Sequence, residues 1–280
     1  MRVLVTGATG NVGSAVVREL SNRGVAVRAF VRDPALELPD GVEQAVGDLD
    51  DPASIRNALD GVDRVFLSSA DGPRKVQQEA AVVDSAGGVD LLVKASTMYA
   101  EVGSPLPPLD WNGRSEAHLR RSGIPHVVLG SSFYMTNLLA VAEPVRTQGI
   151  LPAPAGAGRV AMIDPRDIGA VAAAVLCGSG HEGRAYRLTG PAAIGYAEIA
   201  TILGVDYVDV PPAAAREQLE AAGMPGWLVE HLDRAFALIR EGAMEETTDT
   251  VRVLTGRDPR SFAEFARDHA GAFARAPARA

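Results

Sequence analysis

This 280-residue chain has little of what many kinds of function require. Its one cysteine, Cys177, excludes an internal disulfide and any cluster of thiolate ligands, and its place in an Ala/Val-rich stretch makes it an expected small core residue. The five histidines, His118, His126, His181, His231 and His269, have no paired metal spacing, and neither H-E-x-x-H nor a Cys/His cluster occurs, so no metal is expected. No G-x-S-x-G string is present, which leaves a hydrolase of the nucleophile-elbow type without a motif. No apolar run approaches the roughly 18 residues of a membrane span, and the first residues read as a strand, not as a signal peptide. Positive charge is the minority sign: 27 Lys and Arg against 35 Asp and Glu give a net charge of -8, which argues against a phosphate-backbone partner. The expectation is a cytoplasmic protein with a small-molecule partner, no nucleic acid and no membrane, as a monomer or homodimer.

What is present begins at once. Arg2 to Thr6 reads as a buried parallel strand, three glycines follow at Gly7, Gly10 and Gly13, and a helical pattern starts at Ser14. Gly7 permits a sharp turn, Gly10 lets backbone approach a pyrophosphate, and Gly13 lets the helix pack closely on the strand. Thr9, Asn11 and Val12 complete the loop, and the helix amino end offers N–H donors and its positive pole to an anion. A glycine-rich turn that only connects strand to helix is the alternative.

The end of the second strand, Val25 to Val31, should meet the adenosine ribose. NAD sites place a carboxylate there, whereas here Arg32 comes first, with Asp33-Pro34 behind it. A guanidinium favours a 2′-phosphate, so NADP(H) is preferred and NAD(H) possible; the alternative has Asp33 on the ribose and Arg32 in solvent. After a strand at Val42 to Val46, Asp48 is placed to accept from the adenine amino group, with Leu49 along the ring. Alternatively Asp48 is a turn carboxylate and Asp50 or Asp51 caps the helix over Ala53 to Leu59.

Strands and helices then alternate: a strand at Arg64 to Leu67 ends in Ser68-Ser69-Ala70, a helix runs from Arg74 to Ala86, and further strands cover Asp90 to Lys94 and His126 to Leu129. This is the pattern of an α/β Rossmann-type, doubly wound parallel sheet, with small residues at a carboxyl strand end leaving room for a ligand. Gly149 to Gly158 reads as a loop crossing between lobes, and Arg159 to Ile163 as a strand. Asp164, Arg166 and Asp167 read as a helix start before Ile168 to Leu176. Ala185 to Leu188 adds a strand. From Gly195 the chain is mainly helical, with a strand-like run at Tyr207 to Val210, a face of Leu228, Leu232, Phe236 and Ile239 that serves first for packing and only secondarily as a substrate wall, and an expected frayed tail at Ala274 to Ala280. The expected division is 1–132 as the dinucleotide-binding core, completed by about 165–190, with 133–164 and 191–280 as a smaller, mainly helical substrate lobe.

Several stretches together carry a resemblance: Thr6-Gly-Ala-Thr-Gly-Asn-Val-Gly13, Val31-Arg-Asp-Pro34, Gly47-Asp-Leu-Asp50, Gly61-Val-Asp-Arg-Val-Phe66, Glu116 to Leu129, Ile163 to Gly169, Ala185 to Gly190 and Gly256 to Phe262. Over nearly its whole length the chain resembles an atypical short-chain dehydrogenase/reductase of the NmrA-like group, in the branch with NAD(P)H:quinone oxidoreductases and triphenylmethane dye reductases. The resemblance implies NADP(H) on a Rossmann core and a smaller carboxyl-terminal lobe over the nicotinamide. It also implies that the loop after the sixth strand touches the nicotinamide, making Ser131, Ser132 and Phe133 candidate contacts; Gly130-Ser131 stands where relatives often have Arg-Pro.

No Tyr-x-x-x-Lys pair occurs, and Trp111-Asn-Gly-Arg-Ser115 occupies the stretch where its helix should begin. The phenol that exchanges a proton with a carbonyl is therefore missing. Hydride transfer to a conjugated acceptor such as a quinone, a dye-like cation or a polycyclic metabolite remains, since it needs mainly oriented placement and exclusion of water. Ser96 and Tyr99 are candidates for polar catalytic help, with the alternatives that Ser96 contacts cofactor or backbone and Tyr99 is a pocket wall. Met98, Trp111, Tyr134 and Met135 would line the substrate pocket or simply be core. The expected function is an NADPH-dependent reductase; the alternatives are an NADP(H)-binding redox sensor without turnover and an NDP-sugar epimerase-like enzyme.

Overall fold

A computed structural model describes residues 1–274. In chain order it comprises β1 (Arg2–Val5), α1 (Asn11–Asn22), β2 (Ala26–Val31), β3 (Glu43–Val46), α2 (Pro52–Leu59), β4 (Arg64–Leu67), α3 (Lys75–Ser85), β5 (Leu91–Thr97), α4 (Pro107–Ser122) and β6 (His126–Ser131). A 3-10 helix (Met135–Val141), α5 (Ala142–Gln148), β7 (Ile150–Ala153), β8 (Arg159–Val160), α6 (Pro165–Cys177) and β9 (Ala185–Leu188) follow. The remainder is β10 (Ile194–Gly195), α7 (Tyr196–Leu203), β11 (Asp206–Asp209), α8 (Pro212–Ala221), α9 (Gly226–Arg240), α10 (Thr250–Thr255), α11 (Phe262–Asp268) and α12 (Ala270–Phe273). Of the expected tail, residues 275–280 lie outside the described residues.

The chain divides into two compact units: residues 1–131, 165–188 and 250–257 form the first, and 132–164, 189–249 and 258–280 the second. In the first, seven parallel strands are ordered β3-β2-β1-β4-β5-β6-β9, so the sheet is the doubly wound Rossmann type. Short runs of Val, Leu and Ala make its central strands because both faces are covered. On one face Leu4, Val65, Leu67 and Leu92 pack with Ile55, Val82, Val83 and Leu119 from α2, α3 and α4. On the other, α1 and α6 pack so closely that a Cβ on Gly169 would stand 2.7 Å from the Ala15 Cβ. Successive strands leave β1 in opposite directions, so the crevice at the carboxyl ends of β1 and β4 is the topological switch point.

In the second unit β7 pairs in parallel with β11, β8 pairs with β10, and α5 and α7 to α9, α11 and α12 surround them. No helix among the described residues is long and apolar enough to cross a membrane.

Several local expectations need correction. Helix α1 starts at Asn11, three residues early, because the Gly10 N–H closes a turn on the Gly7 carbonyl (2.9 Å) and leaves Gly10 as the extended cap. β5 runs to Thr97 and β6 to Ser131, since their pairing continues from Ala95↔Leu129 to Thr97↔Ser131. Ser96 and Ser131 therefore sit inside strands. Residues 149–158 stay within the second unit and contain β7, a four-residue strand too short, and with Pro152 inside it, to be legible. Cys177 is exposed as the last residue of α6, where the helix's buried face has turned away. In α9 the fully buried side chains are Val229, Ala235 and Ile239, while Leu228, Leu232 and Phe236 are half-buried.

Candidate cofactor and substrate site

At the end of β1 the Thr6 hydroxyl locks two strand ends together. It donates to the Ser68 carbonyl (2.7 Å) and accepts from the Ser68 N–H (2.9 Å). Gly7 has a φ of +60°, a conformation that side chains disfavour, and a Cβ there would lie 2.8 Å from the Ser68 oxygen. Gly13 is tighter: a Cβ would meet the Gly7 oxygen at 2.0 Å. Gly10 differs, because a Cβ there meets only the Gly7 oxygen, at 3.3 Å. The fold thus demands glycine at 7 and 13, whereas at 10 a side chain would mainly cover an exposed backbone.

Thr9, Gly10 and Asn11 are exposed, and Val12 buries its side chain so that only its backbone can serve a ligand. Helix α1 has no side-chain cap and no acidic residue in its first turn. An uncapped helix start with uncovered backbone fits a pyrophosphate, through N–H donors and the positive end of the helix dipole.

Beyond β2, Arg32 is exposed and makes no hydrogen bond or ion pair with the described residues. Asp33 instead closes a turn, accepting from the Ala35 N–H (2.9 Å). Asp48 uses one carboxylate oxygen on the Asp50 N–H (2.9 Å), while Asp51 caps α2 through the Ala53 N–H (2.9 Å). Ser54 holds the Asp48 backbone, with its hydroxyl donating to the Asp48 carbonyl (3.0 Å), and Leu49 is half-buried beside it.

Past β4, Ser68 and Ser69 are half-buried and Ala70 is exposed. Ser69 leads into a charged cluster that the sequence reading missed. Its hydroxyl donates to Glu79 Oε1 (2.8 Å), which lies 3.1 Å from Lys75 Nζ, and Glu79 Oε2 lies 2.9 Å from Lys94 Nζ. All three charged groups are buried, with Lys94 at 0 % and Glu79 at 1 % exposure. Burial pushes the Glu79 carboxyl upward, but the ammonium groups of Lys94 and Lys75 outweigh it and hold the acid at about 2. One signal was available: a lysine inside the apolar run Leu91-Leu-Val-Lys94 cannot be buried without a counter-charge. The i,i+4 pair Lys75 and Glu79 was the counterpart to seek.

On β5, Ser96 donates to Glu116 Oε1 (2.5 Å), and Glu116 is also held by Arg120 (2.6 Å). Ser131 on β6 donates to the Ser96 carbonyl (3.1 Å). Met98, Tyr99 and Trp111 are half-buried, and the Arg187 guanidinium stands 6.0 Å from the centre of the Tyr99 ring. Ser115 is buried on α4.

In the second unit Ser132 is buried and Phe133 and Tyr134 are half-buried. Met135, with 2 % exposure, is a core side chain there. The Phe133 ring lies 6.5 Å from Phe236, whose other neighbour is the buried Tyr196 at 5.8 Å. Phe236 is thus a half-buried aromatic side chain beside a candidate contact. No group of three or more metal-ligating side chains occurs among the described residues.

The profile of the NmrA-like family matches residues 1–203. The chain is 38 % identical to the NAD(P)H azoreductase of Xenophilus azovorans, over 97 % of this chain and 99 % of that protein. It is 37 % identical to the (4-alkanoyl-5-oxo-2,5-dihydrofuran-3-yl)methyl phosphate reductase of Streptomyces griseus subsp. griseus, with the same coverage of 97 % and 99 %. Among solved structures, the NADPH-dependent quinone oxidoreductase of Escherichia coli complexed with NADPH is similar, with a TM-score of 0.85 and 29 % identity over 95 % of this chain and 99 % of that one.

Proposed function

We propose, because this chain belongs to the NmrA-like family, that it is an NADPH-dependent reductase that passes hydride to a small conjugated acceptor. The observation that carries the reading is the uncapped start of α1 above a loop whose glycines at 7 and 13 admit no Cβ. When bound, the reduced nicotinamide supplies the hydride. The chain's residues bind and orient it: Gly7, Thr9, Gly10, Asn11, Val12 and Gly13 at the pyrophosphate, Asp48 and Leu49 at the adenine, and Ser68, Ser69, Ala70, Ser131, Ser132 and Phe133 toward the nicotinamide. Because the Ser96 hydroxyl donates its hydrogen bond to Glu116, we assign it a fixing role and leave polar help to Tyr99. Met98 and Trp111 of the first unit offer apolar surface to a planar acceptor, as do, taken separately, Tyr134 and the Phe133–Phe236 pair of the second. A neutral acceptor's delocalised product anion takes its proton from solvent, and a cationic dye needs none. The same reading makes the protein cytoplasmic, a monomer or homodimer acting on small molecules.

Purified protein should oxidise NADPH when given quinones, azo dyes or triarylmethane dyes. Tight NADPH binding with only background oxidation across all three classes would move the reading to a redox sensor. An epimerase is disfavoured by Trp111 and Ser115 in the stretch where the tyrosine and lysine of that chemistry belong.

Arg32 is assigned to the 2′-phosphate, supported by its lack of partners and by the commitment of Asp33 to its own turn. Arg32→Ala should weaken NADPH by about 10- to 100-fold, the worth of a charge-assisted contact, and change NADH little. Equal losses for both nucleotides in calorimetric titrations would remove the assignment.

A further inference from the structure

The buried charges occupy a notch in the carboxyl edge of the sheet. β4 ends at Leu67, opposite Lys94, while β5 runs on to Thr97. The N–H groups of Leu92 and Met98 go to the Pro125 and Ser131 carbonyls on the β6 side. By the two-residue alternation of a strand, the Ala95 carbonyl therefore faces the β4 side, where β4 has already ended. Lys94 fills that vacancy: its Nζ donates to the Ala95 carbonyl (2.9 Å) and to Asn112 Oδ1 (3.1 Å). Asn112 is itself fixed, donating to the Pro108 carbonyl (2.9 Å). On the other side of the notch, Lys75 Nζ reaches the Ser69 carbonyl (3.2 Å) and Asp71 Oδ1 (3.3 Å). Glu79 joins the halves, so one continuous polar set ties the Ser68–Ala70 turn to the overrunning end of β5.

Among its buried groups the set holds two ammonium groups against one carboxylate, since Asp71, which also pairs with Lys75, is exposed. Lys75 alone would neutralise Glu79, and the second ammonium, fully buried, adds a desolvation cost. An apolar side chain of similar length at 94 would leave a balanced Lys75–Glu79 pair and remove that cost. What it could not do is hold the Ala95 carbonyl and the Asn112 amide. Lys94 is too deeply buried to touch a ligand, so any part it plays in the site passes through the backbone it holds.

We propose that Lys94 is a positioning residue of the dinucleotide site, fixing the end of β5 against the Ser68–Ala70 turn at a net loss of fold stability. This rests on the NADP(H) reading above. The test uses the full-length chain with NADPH as probe: thermal midpoints, NADPH Kd by calorimetry, and KM and kcat with a quinone. Lys94→Met should keep or raise the midpoint while Kd and KM for NADPH rise about tenfold, the worth of one charge-assisted hydrogen bond. Its kcat at saturating NADPH should stay within about threefold, because the lost contact sets cofactor placement in the ground state. From the other partner, Asn112→Leu should raise Kd similarly, while Asn112→Asp, which still accepts from the ammonium, should restore it.

A lowered midpoint with unchanged Kd in Lys94→Met would make the lysine purely structural and overturn the proposal, as would no change in either. If Lys94→Met does not fold, the Asn112 pair decides: equal Kd values for leucine and aspartate overturn it. Failure of the wild-type chain to bind NADPH removes the cofactor reading and this role together, and is seen before any variant is made.

Discussion

Alanine at position 13 is expected to abolish saturable NADPH binding and to lower stability by about 3 kcal/mol, the upper part of the range for overpacking a filled site. The added Cβ would stand 2.0 Å from the Gly7 oxygen, 2.6 Å from the Gly7 carbon and 3.1 Å from the Ala8 Cα. All three are backbone atoms, so no rotamer change relieves the clash; α1 must move off the loop. That movement also displaces the helix start that would face the pyrophosphate. Gly10→Ala is the contrasting control. Its Cβ meets only one atom, at 3.3 Å, so the fold should persist while the nucleotide meets a methyl group where it needs bare backbone. Circular-dichroism melts and calorimetric titration of the two variants separate the cases. A Gly13→Ala protein that binds NADPH like wild type would disprove the cradle.

Glu79→Ala should destabilise the chain by about 3–5 kcal/mol, the range for removing one partner from a buried ion pair, and lower Tm by on the order of 10 °C. It leaves two ammonium groups, at 0 % and 5 % exposure, without the carboxylate between them. Lys94, whose ammonium burial already disfavours, should respond by losing its proton. The same carboxylate makes stability depend on pH. Its folded value of about 2 lies below the ordinary 4.5, so its contribution is fully present above about pH 4.5 and is lost as the pH falls through about 2. Tm measured from pH 5 down to 2.5 should therefore fall more steeply in wild type than in Glu79→Gln. Parallel profiles would show that Glu79 is not held ionised by its neighbours.

The parts of the fold that were legible are those written in local spacing. An apolar run before three glycines specifies strand, tight turn and helix within thirteen residues, and the clash distances at Gly7 and Gly13 state the same requirement in space. The alternation of short apolar strands with amphipathic helices likewise announces a parallel sheet. Strand ends were less legible: Ala95 to Thr97 are small or polar and read as loop, yet β6 beside them extends the pairing. Cys177 was misjudged for a related reason, since helical spacing shows which residues share a face but not where that face stops being covered.

By itself the sequence determined the Rossmann architecture, the glycine turn from β1 into α1 and the position of Arg32 just past β2, because each depends on residues near one another in the chain. Tertiary structure alone decided that Ser69, Lys75, Glu79, Lys94 and Asn112 form one buried set. Those residues come from β5, two helices and the turn after β4, and they meet only because the strand order places β5 beside β4 and lets it overrun. Burial then gives their charges a strength that the same residues, apart and in water, would lack.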